Sequence, residues 1–226
     1  MTTAISPGKT RSPLSERLDL IISPIFAAAL AILGFAVWTY SDLDKITIAI
    51  LSPDKIQRQI VETLILGLTS SILVVLIAVP VGILVTRKGY PRLKSALVNT
   101  LGLGQALPAY GLIVIFFSFM GSGIVTVILA LATFSLLPVL RNTIVGLEQV
   151  DKSVIDAARG MGLTARQILL KIELPLSVEV ILGGIRTAVV INIGFSALAF
   201  LVGGGGLGET INSGLKLDRG PAILIG

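Results

Sequence analysis

Residues Ile60 to Thr86 read IVETLILGLTSSILVVLIAVPVGILVT, and after Glu62 no charged residue occurs until Arg87. A helix rises 1.5 Å per residue, so about 20 apolar residues cross the roughly 30 Å hydrocarbon core of a bilayer. This block exceeds that length and predicts a spanning helix. Backbone groups in lipid have no water to bond, so a run of this kind is read as a helix rather than a strand.

Comparable blocks lie on either side. Asp19 to Tyr40 predicts a first span, Ser95 to Met120 a third, Ser122 to Leu140 a fourth and Leu176 to Val202 a fifth. The first follows Lys9, Arg11 and Arg17 and outlasts the roughly 7–15 apolar residues of a signal-peptide core, so it reads as a retained span. Pro221 to Gly226 begins another apolar run, and a sixth helix is expected to continue from it. The expected fold class is an all-α integral membrane protein, a multi-span helical bundle.

Composition agrees. Of the 226 residues, 54% are hydrophobic and 14% charged, against roughly a quarter charged in a soluble domain. There is no Cys and no His. That excludes disulfides and thiolate metal sites and removes the commonest catalytic base and metal ligand. No catalytic, cofactor-binding or metal site is expected in this chain.

The net charge is +5, and its placement orients the chain. With residues 1–18 as a cytoplasmic tail, the inner segments hold Lys9, Arg11, Arg17, Arg87, Lys88, Arg92, Lys94, Arg141, Lys152, Arg159, Arg166 and Lys171. The outer segments, including the connection 41–58, hold only Lys45, Lys55, Arg58, Lys216 and Arg219. The excess inside predicts a cytoplasmic N-terminus in a multi-pass membrane protein.

The inner segment 141–175 carries the most informative pattern. It contains Asp156-Ala157-Ala158-Arg159-Gly160-Met161-Gly162, then nine residues, then Ile172-Glu173-Leu174-Pro175. Local chemistry predicts a short helix capped by Ser153, with Asp156 in its first turn facing the positive end of the helix dipole. Ala157 and Ala158 favour helix and leave room for a close neighbour. Gly162 suits a left-handed helix stop, Thr164 a second cap, and Pro175 the entry to the fifth span.

This arrangement resembles the EAA loop of binding-protein-dependent ABC import permeases. The fixed positions of that loop are an acidic residue, two alanines, a glycine and Ile-x-Leu-Pro. All are present, with Asp156 where the family usually has Glu. Leu136 to Thr143, Gly183 to Ala188, Ile191 to Gly194 and Gly203 to Gly208 are similar to the osmoprotectant branch, which imports glycine betaine, carnitine or choline.

The resemblance implies a type I importer permease domain over residues 59–226, in a bacterial cytoplasmic membrane. It implies that Asp156, Ala157, Ala158, Gly162, Ile172, Leu174 and Pro175 form the element that couples to an ATPase. The implied partners are two ATPase subunits, a second permease subunit, identical or homologous, an extracytoplasmic solute-binding protein and the lipid bilayer. No nucleic acid is expected. ATP would be bound by the separate ATPase, since G-x-x-x-x-G-K-[ST] is absent from the sequence. A permease for methionine or phosphonate, or a non-transporting scaffold or channel, is the alternative.

Three further signals stay open at this level. Gln105, Pro108 and Asn192 are candidates for the translocation path, with helix breakage, tight packing or an interhelical hydrogen bond as the plainer readings. Glu179 and Arg186 stand two helical turns apart and are expected to pair. Gly203, Gly205 and Gly208 satisfy G-x-G-x-x-G, but a spanning helix precedes them, so an outer or re-entrant turn is expected instead of a dinucleotide site.

Overall fold

A computed structural model describes residues 44–87 and 91–226, with scattered residues between 22 and 39. The tail 1–18 lies outside the described residues. Those described within the expected first span are helical.

Helix α1 (Lys45–Ile50) and α2 (Pro53–Thr86) come first, so much of the expected polar connection is itself helical. There follow α3 (Pro91–Ala106), α4 (Ala109–Met120) and α5 (Ile124–Glu148). Beyond them lie α6 (Lys152–Gly160), α7 (Ala165–Ile168), a π-helical turn at Leu169–Glu173 and α8 (Leu174–Ser196). A 3₁₀ turn (Ala199–Val202), α9 (Gly208–Lys216) and α10 (Gly220–Ile225) complete the chain. Among the described residues there is no strand.

Among the described residues, three stretches are long and apolar enough to cross a bilayer as single helices: α2, α5 and the continuous run Ala165–Ser196. The expected third span is instead a bent pair, α3 and α4, which meet at 101°. Leu107 and Pro108 sit at the break, and Pro108 stands at the N-cap of α4. A proline has no N–H and clashes with the preceding turn, so it starts a helix more readily than it continues one. Pro80 and Pro138, by contrast, lie inside α2 and α5.

The core lies among α2, α5 and α8. Val74, Ala78, Val139, Leu140 and Ala188 are completely buried there. Small residues set the spacing. A Cβ on Gly67 of α2 would fall 2.6 Å from Ile193 Cγ1, and one on Gly82 would fall 2.6 Å from Thr143 Cγ2. Lipid tails are as apolar as leucine, so close packing and interhelical hydrogen bonds hold such helices together. A second cluster, with Leu66, Ile113, Val127 and Ala199, binds α4 and the 3₁₀ turn to the end of the bundle where α2 begins.

The glycine-rich segment is a turn pinned to α2. Gly203, Gly205 and Gly206 all have positive φ. The Glu62 carboxylate accepts from Gly206 N at 2.9 Å, and Thr63 Oγ1 accepts from Leu207 N at 3.0 Å. A helix and a 3₁₀ turn precede it, so the strand required by a dinucleotide fingerprint is absent here.

Candidate functional site: the helical hairpin between α5 and α8

Between α5 and α8 the chain makes a compact hairpin, α6–α7, at the end of the bundle where α2 ends. Its first helix begins at Asp151, whose side chain accepts from Ser153 N at 2.8 Å. The expected cap at Ser153 is therefore displaced by two residues. Asp151 caps as a carboxylate, accepting a charge-assisted bond from the free N–H groups. That same bond, from the Ser153 backbone foremost, holds the Asp151 carboxyl below its ordinary value of 3.8. With the start moved back, Asp156 falls past the first turn and pairs with Arg159 one turn on, at 3.0 Å.

The helix ends as its sequence predicts. Gly162 has φ +82, its N–H donates to Arg159 O at 2.9 Å, and Leu163 N donates to Ala158 O at 3.1 Å. This is a Schellman stop, which requires a left-handed residue at the glycine position. Open space surrounds Gly162, so its constraint is backbone conformation and not crowding. Thr164 then caps α7 in a reciprocal capping box with Gln167.

The two alanines have different roles. Ala158 is completely buried beneath α6, whereas Ala157 is exposed. Val154, Ala157 and Met161 recur at helical spacing and all face outward, Met161 at 73% exposure. The outer face of α6 is therefore a small apolar strip beside the Asp156–Arg159 pair.

Ile172 and Leu174 are half-buried and Pro175 is exposed. They belong to the junction between hairpin and span, away from that outer strip. Pro175 does not break the chain's helicity. The π turn at Leu169–Glu173 runs straight into α8, with Leu174 N donating to Leu169 O. A proline leaves one carbonyl behind it without a partner, and a widened turn accommodates that loss. Glu173, a variable position in the motif, is buried and paired with Arg87 at the end of α2, 2.8 Å away. Local sequence carries no signal for that contact, because its two ends are far apart in the chain.

Of the path candidates, Asn192 is completely buried. In the amide orientation that satisfies its neighbours, its nitrogen donates to Ser135 Oγ (2.9 Å) and Leu131 O (3.0 Å), and its oxygen accepts from Ser71 Oγ (3.0 Å). Gln105 Nε2 donates to Phe134 O at 3.1 Å, so Gln105 and Asn192 meet adjacent residues of α5. Pro108 is exposed at the break and stands apart from both. Glu179 and Arg186 do not pair: both are exposed, and neither joins any ion pair among the described residues. A separation of two turns leaves about 10 Å along the axis, more than these side chains close without bending flat on the helix.

Comparison with known proteins agrees with this architecture. Residues 78–223 match the family described as binding-protein-dependent transport system inner membrane component. The carnitine transport permease protein OpuCB of Listeria monocytogenes is 39% identical over 165 residues, covering 73% of this chain and 74% of that one. The choline transport system permease protein OpuBB of Bacillus subtilis strain 168 is 38% identical over 167 residues, 73% of this chain and 75% of that one. Among solved structures, a chain of the inward-facing MetNI methionine ABC transporter superposes with a TM-score of 0.66 at 25% identity, covering 81% of this chain and 88% of that one. That last likeness is one of fold.

The chain belongs to the family of inner membrane components of binding-protein-dependent transport systems. It is a multi-pass permease of the type I ABC importer fold, a transport subunit and not an enzyme.

Proposed function

We propose that this permease carries a compatible solute of the glycine betaine, carnitine or choline type and takes its driving motion through the α6–α7 hairpin. Relatives named for carnitine and choline transport, at 38–39% identity over nearly three quarters of the chain, support the solute class. The methionine transporter shares the fold at lower identity, which favours the osmoprotectant reading over the methionine one.

The observation that carries the coupling is the construction of α6. It is a short amphipathic helix, stopped sharply at Gly162, that offers Val154, Ala157 and Met161 outward. It leads through the capped α7 into the continuous helix Ala165–Ser196. A force applied to that outward strip is delivered to a spanning helix through one short turn. The natural occupant is a cleft in an ATPase subunit, one on each of two permease copies, which are identical or homologous. The path between the copies opens alternately inward and outward as the ATPases close and release. A solute-binding protein delivers the solute from outside, and the N-terminus lies in the cytoplasm, a placement the Lys and Arg distribution supports.

Reconstitution with the ATPase and binding protein tests this. Uptake of labelled glycine betaine, carnitine or choline is expected to require ATP and the binding protein. Uptake of methionine alone would overturn the solute class.

A further inference from the structure

The coupling hairpin meets the bundle at one charged contact that the motif does not include. Arg87 follows the last residue of α2, and its Nη1 donates to Glu173 Oε2 at 2.8 Å. The same guanidinium donates from Nε to Ile83 O at 3.2 Å and from Nη2 to Thr86 Oγ1 at 3.2 Å. It is thereby oriented by α2 itself, in a geometry a flexible ammonium does not reproduce. On the other side the Glu173 side chain is 9% exposed. A carboxylate taken out of water is strongly disfavoured when its counter-charge is removed, so the pair binds its two elements together.

The location of Glu173 gives that contact a mechanical meaning. It is the last residue of the π-helical turn Leu169–Glu173. Such turns interrupt the regular ladder and are places where a helix shifts register or bends. Beside it lies a cavity of about 540 Å³ between the hairpin and the inner ends of α2 and α5, lined by Thr86, Arg87, Leu147, Val150, Ile155 and Glu173. A hairpin pushed from below has room to fold into that cavity at the π turn, in which case the push is lost before it reaches the bundle.

We propose that Arg87 and Glu173 are a positioning pair for transport: they lock the π turn to the inner end of α2, so that a displacement of α6 moves α2 and α8 together. The inference rests on the reading of α6 as the docking helix. The two are separable, because failed docking removes the ATPase from the purified complex, whereas loss of the pair leaves it bound.

The test uses the whole importer in proteoliposomes, with solute moved per ATP hydrolysed as the readout and ATPase co-purification as the control. Glu173→Gln and Arg87→Gln are expected to keep the ATPase bound and ATP hydrolysis running, while solute per ATP falls about tenfold or more. Arg87→Lys, which keeps the charge, is expected to lie between them and the wild type. Wild-type solute per ATP in both Gln variants would overturn the proposal. So would parallel loss of bound ATPase and uptake, which would make the pair a folding contact only.

Discussion

Gly184 of α8 lies against Asn142 of α5 so closely that a Cβ on it would stand 2.7 Å from Asn142 Cβ and 2.9 Å from the Pro138 carbonyl oxygen. Neither neighbour has a flexible end to move aside. Gly184→Leu is expected to force α5 and α8 apart at a cost of about 1–3 kcal/mol or more. Thermal unfolding of the purified subunit in detergent should show a lowered midpoint. Gly194→Ala, on the same helix with open space around it, should be nearly neutral by the same measurement.

Asn192 links three helices through Ser71, Ser135 and the Leu131 carbonyl. Asn192→Ala removes those bonds and leaves each serine only the carbonyl of its own helix. Interhelical bonds of this kind average about 0.6 kcal/mol and reach about 1.7 kcal/mol in membranes. A loss of that order in the unfolding midpoint, with uptake affinity unchanged, would assign Asn192 to packing. A selective rise in KM for solute with unchanged stability would assign it to the path.

Much of the bundle could be read from the sequence because lipid imposes a simple rule on length and polarity. The blocks around Leu66, Leu131 and Ala188 met that rule, and the helices are there. The third block met it too, yet it is bent at Leu107–Pro108, since hydropathy averages over a break that one proline makes. In the hairpin, Gly162 and Thr164 were legible because their roles are set by backbone geometry within a few residues. The start of α6 was misread by two residues, because Asp151 and Ser153 are both good caps and only the fold chooses between them. The Arg87–Glu173 pair was invisible, as it depends on how distant segments meet.

The Asp151 cap gives a pH dependence with a definite sign. Its carboxyl is held below the ordinary 3.8 by the bonds from Ser153, so the cap stabilises α6 fully above that value. The stabilisation is lost as pH falls through the lowered folded value. Protection from hydrogen exchange at the first turn of α6 is expected to be full at neutral pH and to show an excess loss, measured against the intrinsic rate, below about pH 4. Asp151→Asn, which still caps but does not titrate, should abolish that excess.

Topology is open to labelling, since the chain has no native cysteine. Lys216→Cys, exposed on α9, is expected to react with an impermeant maleimide in intact cells. Ser153→Cys, at the start of α6, should react only after permeabilisation. The reverse pattern would place the hairpin outside, away from any ATPase.

Whether α6 is the element an ATPase moves is decided at Gly162. Its φ of +82 is costly for a β-branched side chain, by about 1–2 kcal/mol, and tolerable for Asn. ATP-dependent uptake and ATPase co-purification should be measured for Gly162→Val and Gly162→Asn at equal membrane abundance, with Arg92→Ala as a control. Val is expected to lose both, while Asn and the control keep most of each. Wild-type ATPase binding and uptake in Gly162→Val would contradict that role for α6.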